Sequence, residues 1–183
     1  MERKRVFIGL PADDALRAAA AAFRHSHGGL KARWIRPEYL HVTMVPPWEL
    51  PDPEPVCMAL EVIASSTAPV PVRFDEVSAG PDPRRPRLLW ATGAAPDSLC
   101  TLASQLSGTF GDGKEAQRGF LLHLTIARLN RQEARSSTIM KLHEPVGWDA
   151  LLDKLCLYES ILKPEGAVYR ELCRFPLRES FKK

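Results

Sequence analysis

Two triplets carry the chemistry that these residue types and spacings can offer: His41-Val-Thr43 and His123-Leu-Thr125, the second starting 82 residues after the first. Each lies in a run of large apolar residues, Leu40-His-Val-Thr-Met-Val45 and Leu122-His-Leu-Thr-Ile-Ala127, that reads as a strand. Residues i and i+2 of a strand project from one face, about 7 Å apart. His and Thr therefore share a face in each copy, while Leu40, Val42 and Met44, or Leu122, Leu124 and Ile126, cover the other. An imidazole with an ordinary pKa of about 6.5 can give or take a proton near neutral pH, and a threonine hydroxyl can donate to an anionic oxygen. Two such pairs facing one cleft could hold a phosphate between two imidazoles. One copy alone is better explained by a histidine bonded to its neighbouring threonine or to water. The repetition in the same apolar frame is what points to a site.

Other candidates are weaker. Arg128 closes the second run, but strict alternation puts it on the apolar side, so it reaches the cleft only if the strand twists or ends near Ala127. Phe7, on the opposite face of its strand from Val6, Ile8 and Leu10, is a candidate wall of the same cleft, with simple packing as the alternative. Trp48, in a proline-rich loop, and Phe120, leading into the second run, join it as candidates for stacking on a base, with cover of the core edge an equal alternative for Trp48. His25-Ser-His27 has no third ligand nearby and reads as the polar end of a helix, and His143 reads as a surface residue without a partner. Gly108-Thr-Phe-Gly-Asp-Gly-Lys114 starts like a phosphate-binding loop, but Glu115 stands where a Ser or Thr would hold Mg²⁺. We reject a nucleoside-triphosphate site there.

Composition limits the function classes without choosing among them. At 183 residues the chain can bury a full core. The net charge of +3 suits an anionic partner but is far below that of a non-specific nucleic-acid coat. The apolar run Val6–Leu10 is too short for a signal sequence or a membrane span and ends at Pro11 and Asp13. The four cysteines, Cys57, Cys100, Cys156 and Cys173, lack Cys-x-x-Cys spacing. Cys57, Cys100 and Cys156 lie in apolar-periodic segments, so buried, reduced thiols and a cytoplasmic location are expected.

The elements that must hold the two triplets follow from pattern. Strands are expected at Arg5–Leu10, Ala32–Ile35, Val70–Val77 and Leu88–Thr92 as well as at the two runs, with a terminal hairpin from strands in Ala150–Leu162 and Val168–Leu177. Helices are expected over 12–25 with Leu16, Ala19, Ala20 and Phe23 inward, over 53–65 with Met58, Leu60, Val62 and Ile63 as its apolar set, from Asp97 to about Phe110, and over Arg131–Lys141. Pro81–Arg87 is a stiff basic loop. The chain thus divides into two similar halves, each with one His/Thr strand, and the half-polar strand faces argue for an α+β fold of antiparallel sheets with outer helices.

With these motifs in place the sequence resembles the two-histidine (HxTx) phosphoesterase superfamily, and within it the RNA 2′,3′-cyclic phosphodiesterase (2′-5′ RNA ligase) family. The matches are ordered along most of the chain: Arg5-Val-Phe-Ile, Arg33-Trp-Ile, Pro37-Glu-Tyr-Leu-His-Val-Thr43, Pro86-Arg-Leu-Leu-Trp90, His123-Leu-Thr-Ile-Ala-Arg128, Leu157-Tyr-Glu-Ser160 and Gly166-Ala-Val-Tyr169. Leu122 stands where the family usually has proline, and Val45-Pro-Pro-Trp48 replaces a Phe-Leu-Gly stretch. The resemblance implies a single bilobal phosphodiesterase domain over residues 1–183, with pseudo-twofold symmetry and a central cleft. It also implies His41 as proton donor, His123 as proton acceptor, and Thr43, Thr125 and Arg128 as phosphate ligands. The implied reaction is opening of RNA 2′,3′-cyclic phosphate ends, tRNA fragments included, to 2′-phosphomonoesters, with 2′-5′ ligation as its reverse. No metal, ATP or other cofactor, no membrane and no protein partner is expected. The alternatives are a phosphodiesterase for small cyclic nucleotides or ADP-ribose cyclic phosphate, and a non-catalytic RNA-end-binding protein. Intact acid–base pairs weigh against the last, for which arginine or lysine would serve better.

Overall fold

A computed structural model describes residues 3–111, 119–164 and 166–178. The first His/Thr run is β3 (His41–Leu50) and the second is β6 (Leu122–Arg128), and each is held in its own antiparallel sheet. β3 is an edge strand beside β1 (Lys4–Pro11), followed by β8 (Lys154–Lys163) and β9 (Gly166–Pro176). β6 lies between β2 (Arg33–Trp34) and β5 (Leu88–Gly93), followed by β4 (Val70–Gly80) and β7 (His143–Leu152). β3 and β6 also touch each other, so the seam between the sheets brings the two motifs together.

The halves are less separate than the repetition suggests. β2, from the first half of the chain, extends the second sheet, and the C-terminal β8–β9 hairpin completes the first. Helices cross over too. α1 (Asp14–Ser26) packs on β7, α2 (Glu54–Ser65) packs on β8 and β9, and α3 (Asp97–Phe110) packs on β3. The start of α1 is anchored by Asp13, which accepts from the Leu16 N–H and, through its other oxygen, from the Leu151 N–H of β7, both at 2.8 Å.

The apolar triplets face inward as expected: Leu40, Val42 and Met44, and Leu122, Leu124 and Ile126, are all buried. They join one continuous apolar cluster that includes Leu16 and Phe23 of α1, Leu60 and Ile63 of α2, and Leu99 and Leu106 of α3. Two expectations for α2 are corrected. Met58 is 64% and Val62 69% exposed, because a stripe set by Val56, Leu60 and Ile63 already meets the sheet. The helix expected over Arg131–Lys141 is broken into a 3₁₀ turn at Glu133–Arg135 and a four-residue α4 (Ser137–Met140).

The cysteines require a larger correction. Cys57 of α2 and Cys173 of β9 form a disulfide across 116 residues, while Cys100 and Cys156 are free thiols. The pairing follows from the packing of α2 on β9, which local spacing does not reveal. Among the described residues no helix is long and apolar enough to cross a membrane.

Candidate active site

β3 and β6 share one irregularity at the same place after their triplets. In β3, Gly9 pairs with Thr43 and Ile8 with Val45, so Met44 is an extra residue. In β6, Trp90 pairs with Thr125 and Leu89 with Ala127, so Ile126 is extra. A β-bulge thus follows each His-x-Thr triplet, three residues after the histidine. Consecutive residues on the bulged strand, Met44 with Val45 and Ile126 with Ala127, are all buried. A bulge resets the alternation of the strand that carries it. Arg128 is therefore returned to the face of His123 and Thr125, contrary to strict alternation, and lines the same cavity as His41, Thr43 and Thr125. The equivalent residue on β3, two after the bulge, is Pro46.

The two imidazoles are oriented alike. His41 Nδ1 lies 2.7 Å from the Tyr39 carbonyl oxygen, and His123 Nδ1 lies 3.0 Å from that of Leu121. Carbonyl oxygens only accept, so each Nδ1 carries the proton and donates it. Nε2 is left as the atom through which each ring exchanges protons.

Their surroundings differ. The His41 ring centroid is 4.7 Å from that of Phe7, and the ring meets Tyr169 edge-on at 5.3 Å. Tyr158 stacks behind Phe7 at 5.0 Å. Burial in this aromatic cage lowers the His41 pKa to about 4; the Tyr39 carbonyl opposes the shift, and the nearby charges of His123 and Arg128 add to it. Tyr158 and Cys156 are pushed up by the same burial, the thiol to about 11, so both stay neutral beneath the site. His123 leans on a single indole, Trp90, at 5.3 Å. Opposite Thr43, where Trp90 stands opposite Thr125, the first sheet has Gly9; a Cβ there would come within 3.1 Å of the His41 ring.

Two cavities meet at Thr43. One of about 500 Å³ is lined by His41, Thr125 and Arg128, with Arg5, Arg33 and Tyr169 around them. The other, of about 510 Å³, is lined by His123 with Phe120, Met44, Pro46, Ser104 and Ser107. The proposed catalytic pair and phosphate ligands are thus brought to one cleft, and Phe120 stands on its wall. Two stacking candidates are corrected. Phe7 is 2% exposed, with Tyr158 on one side and His41 on another, so no face is open to a base. Trp48 lies near-parallel to Phe110 of α3 at 6.4 Å and lines neither cavity.

Sequence reasoning missed Arg5, Arg33, Tyr39, Tyr158 and Tyr169 as parts of the site. The i, i+2 relation of Arg5 to Phe7 was a usable signal; the tyrosines on β8 and β9 gave none. Two of the three other histidines have contacts of their own. His27 caps α1, stacks on Phe23 at 4.0 Å and pairs with Glu144 at 2.8 Å, and His143 pairs with Glu76 at 2.9 Å. The glycine-rich stretch ending at Lys114 lies partly outside the described residues.

Comparison with known proteins agrees with this geometry. The family model of the 2′-5′ RNA ligase superfamily matches residues 12–162. The chain is 23% identical to the RNA 2′,3′-cyclic phosphodiesterase of Archaeoglobus fulgidus over 171 residues, covering 92% of this chain and 97% of that one. It is 21% identical to the protein of the same name from Aquifex aeolicus, covering 97% and 99%. Among solved structures, TT0787 of Thermus thermophilus superposes with a TM-score of 0.75 at 26% identity, over 96% of this chain and 98% of that one.

Proposed function

Because the chain belongs to the 2′-5′ RNA ligase superfamily, we propose that its cleft opens RNA 2′,3′-cyclic phosphodiester ends to 2′-phosphomonoesters, and that a 5′-hydroxyl in place of water joins the same ends through a 2′-5′ linkage. The observation that carries this reading is the repeated unit: a bulged strand, a carbonyl-oriented imidazole and a threonine on the same face, twice, at one cleft. Relatives named RNA 2′,3′-cyclic phosphodiesterase supply the substrate. Residues 1–183 act as one bilobal unit. Its substrates are RNA fragments, those of tRNA included.

In this reading His123 Nε2 takes a proton from water as the oxygen attacks phosphorus. The P–O3′ bond breaks on the far side, and His41 Nε2 gives its proton to the departing O3′. Thr43 and Thr125 hydroxyls donate to the non-bridging oxygens, and the Arg128 guanidinium adds a charge-assisted bond. A 5′-hydroxyl in place of water runs the ligation. The test is turnover of an oligoribonucleotide ending in a 2′,3′-cyclic phosphate, in EDTA without ATP. The expected product is a 2′-phosphate end. Tight binding of that RNA without turnover would overturn the enzymatic reading in favour of an end-binding protein.

The aromatic cage has a pH consequence. At pH 7 His41 is neutral in the free protein, so it receives its proton together with the substrate, whose anionic charge favours the imidazolium. As pH falls through about 4 the free His41 ring becomes charged. The His41 ring signals in an NMR titration, assigned with His41→Asn, should share that midpoint. A midpoint in the ordinary histidine range would refute the caged ring.

A further inference from the structure

An RNA that ends in a 2′,3′-cyclic phosphate has its whole body on one side of the reacting group, so the chain must leave the cleft along some path over the protein surface. Arg128 marks one exit. It is the last residue of β6, is exposed at the strand end, and lines the cavity of His41, Thr43 and Thr125. Its partner on β5 is Leu88, and the next residue, Leu129, donates its N–H to the Arg87 carbonyl at 2.9 Å. The loop between β4 and β5, which carries Arg84, Arg85 and Arg87, therefore abuts that exit.

The loop is held in shape by its own bonds. The Arg87 N–H donates to the Gly80 carbonyl at 2.8 Å and the Arg85 N–H to the Asp82 carbonyl at 3.0 Å. The Arg84 N–H donates to the Asp82 carboxylate at 2.9 Å. Pro81, Pro83 and Pro86 restrict the backbone further, and Pro86 is buried as an anchor while all three arginines are exposed. Arg131, two residues beyond Leu129, is exposed as well. Elsewhere exposed arginines find carboxylates: Arg36 meets Glu38, Arg73 meets Asp149 and Arg170 meets Glu159. Among the described residues, none of Arg84, Arg85, Arg87 and Arg131 forms an ion pair. The acidic side chains of the same two loops, Asp82 and Glu133, instead accept the backbone N–H groups of Arg84 and Asn130. Exposed cations without carboxylate partners, on a backbone already fixed, form a surface that a polyanion can follow at low cost in entropy.

Building on the proposed function, we infer that Arg84, Arg85 and Arg87, with Arg131 beside them, bind the phosphodiester backbone of the RNA upstream of its reacting end. Such contacts go to phosphates and read no sequence. Their effect is selection by length: a long RNA end is a better substrate than a nucleoside 2′,3′-cyclic phosphate.

The experiment compares kcat and KM for adenosine 2′,3′-cyclic phosphate and for a decaribonucleotide with the same cyclic end, in the wild-type protein and in Arg84→Gln/Arg85→Gln/Arg87→Gln. At low salt the wild type prefers the decamer about tenfold in kcat/KM, with the gain in KM. The glutamine variant loses most of that preference and turns over the mononucleotide as the wild type does, which shows its fold and cleft intact. Each phosphate contact on a single strand contributes about 0.7 to the salt slope, so the variant's slope of log kcat/KM against log salt for the decamer is shallower by about 2. The matching triple lysine variant keeps most of the preference, since a phosphate also accepts a point charge. Equal kcat/KM for the two substrates in the wild type, or an undiminished preference in the glutamine variant, overturns RNA as the partner of this loop. If neither substrate is turned over, the proposed reaction fails on its own account, and fluorescence anisotropy of the labelled decamer decides the loop. Salt-sensitive binding that the glutamine variant weakens about tenfold supports it, and equal binding by both proteins overturns it.

Discussion

Alanine at His123 lowers kcat on a cyclic-phosphate RNA end by about 10²- to 10⁴-fold, and alanine at His41 does the same, since each proton transfer contributes that much. The double variant falls little further than the worse single one, because an acid without its base completes no turnover. KM changes less than kcat, because Thr43, Thr125 and Arg128, the proposed phosphate ligands, still line the cavity. The two variants differ in stability. Among the described residues Trp90 is the one aromatic ring set against His123, so the alanine variant at His123 keeps its melting temperature. Removing the His41 ring leaves a gap beside Phe7 and Tyr169, so His41→Asn is the control that separates lost chemistry from lost packing. Single-turnover rates at saturating RNA measure the effect directly. A fall of under tenfold in both alanine variants would remove the pair from the chemistry.

The strands that carry these residues were legible because alternation is local information. Leu40, Val42 and Met44 bury fully, and His41 and Thr43 only in part, for reasons contained in six residues. Arg128 could not be placed that way. Its orientation depends on one extra residue at Ile126, and the partner that makes it extra is β5, more than thirty residues away in sequence. A bulge is a property of a pair of strands, so neither strand announces it alone. The aromatic cage was hidden for a similar reason. Phe7, Tyr158 and Tyr169 come from β1, β8 and β9, which become neighbours only when the C-terminal hairpin joins the first sheet. For Trp48 the choice between stacking and packing could not be made locally, because α3, which supplies Phe110 against it, packs across onto β3 instead of staying over its own half.

The same crossing of halves sets the last prediction, which concerns stability. Reducing the Cys57–Cys173 bond, or replacing both cysteines with serine, destabilises the protein by about 2–4 kcal/mol, the usual range for a disulfide closing a long loop. The bond spans 116 residues and ties α2 to β9, the edge strand of the four-stranded sheet. The loop it closes contains most of the second sheet, so in the unfolded chain it removes a large share of the available freedom. α2 and β9 also meet through packing, and the Arg178 N–H bonds to the last turn of α2 at the Ala64 carbonyl, so the folded state survives without the bond. The urea midpoint is expected to drop on adding reductant to the wild-type protein and to stay unmoved by reductant in Cys57→Ser/Cys173→Ser. Thiol titration of the unfolded, unreduced protein should find two reactive cysteines, Cys100 and Cys156; four would mean that the bond does not form. Neither histidine lies on α2 or β9, so kcat should change by less than a factor of about two. A larger loss would show that the staple also holds Tyr169, on β9, against His41.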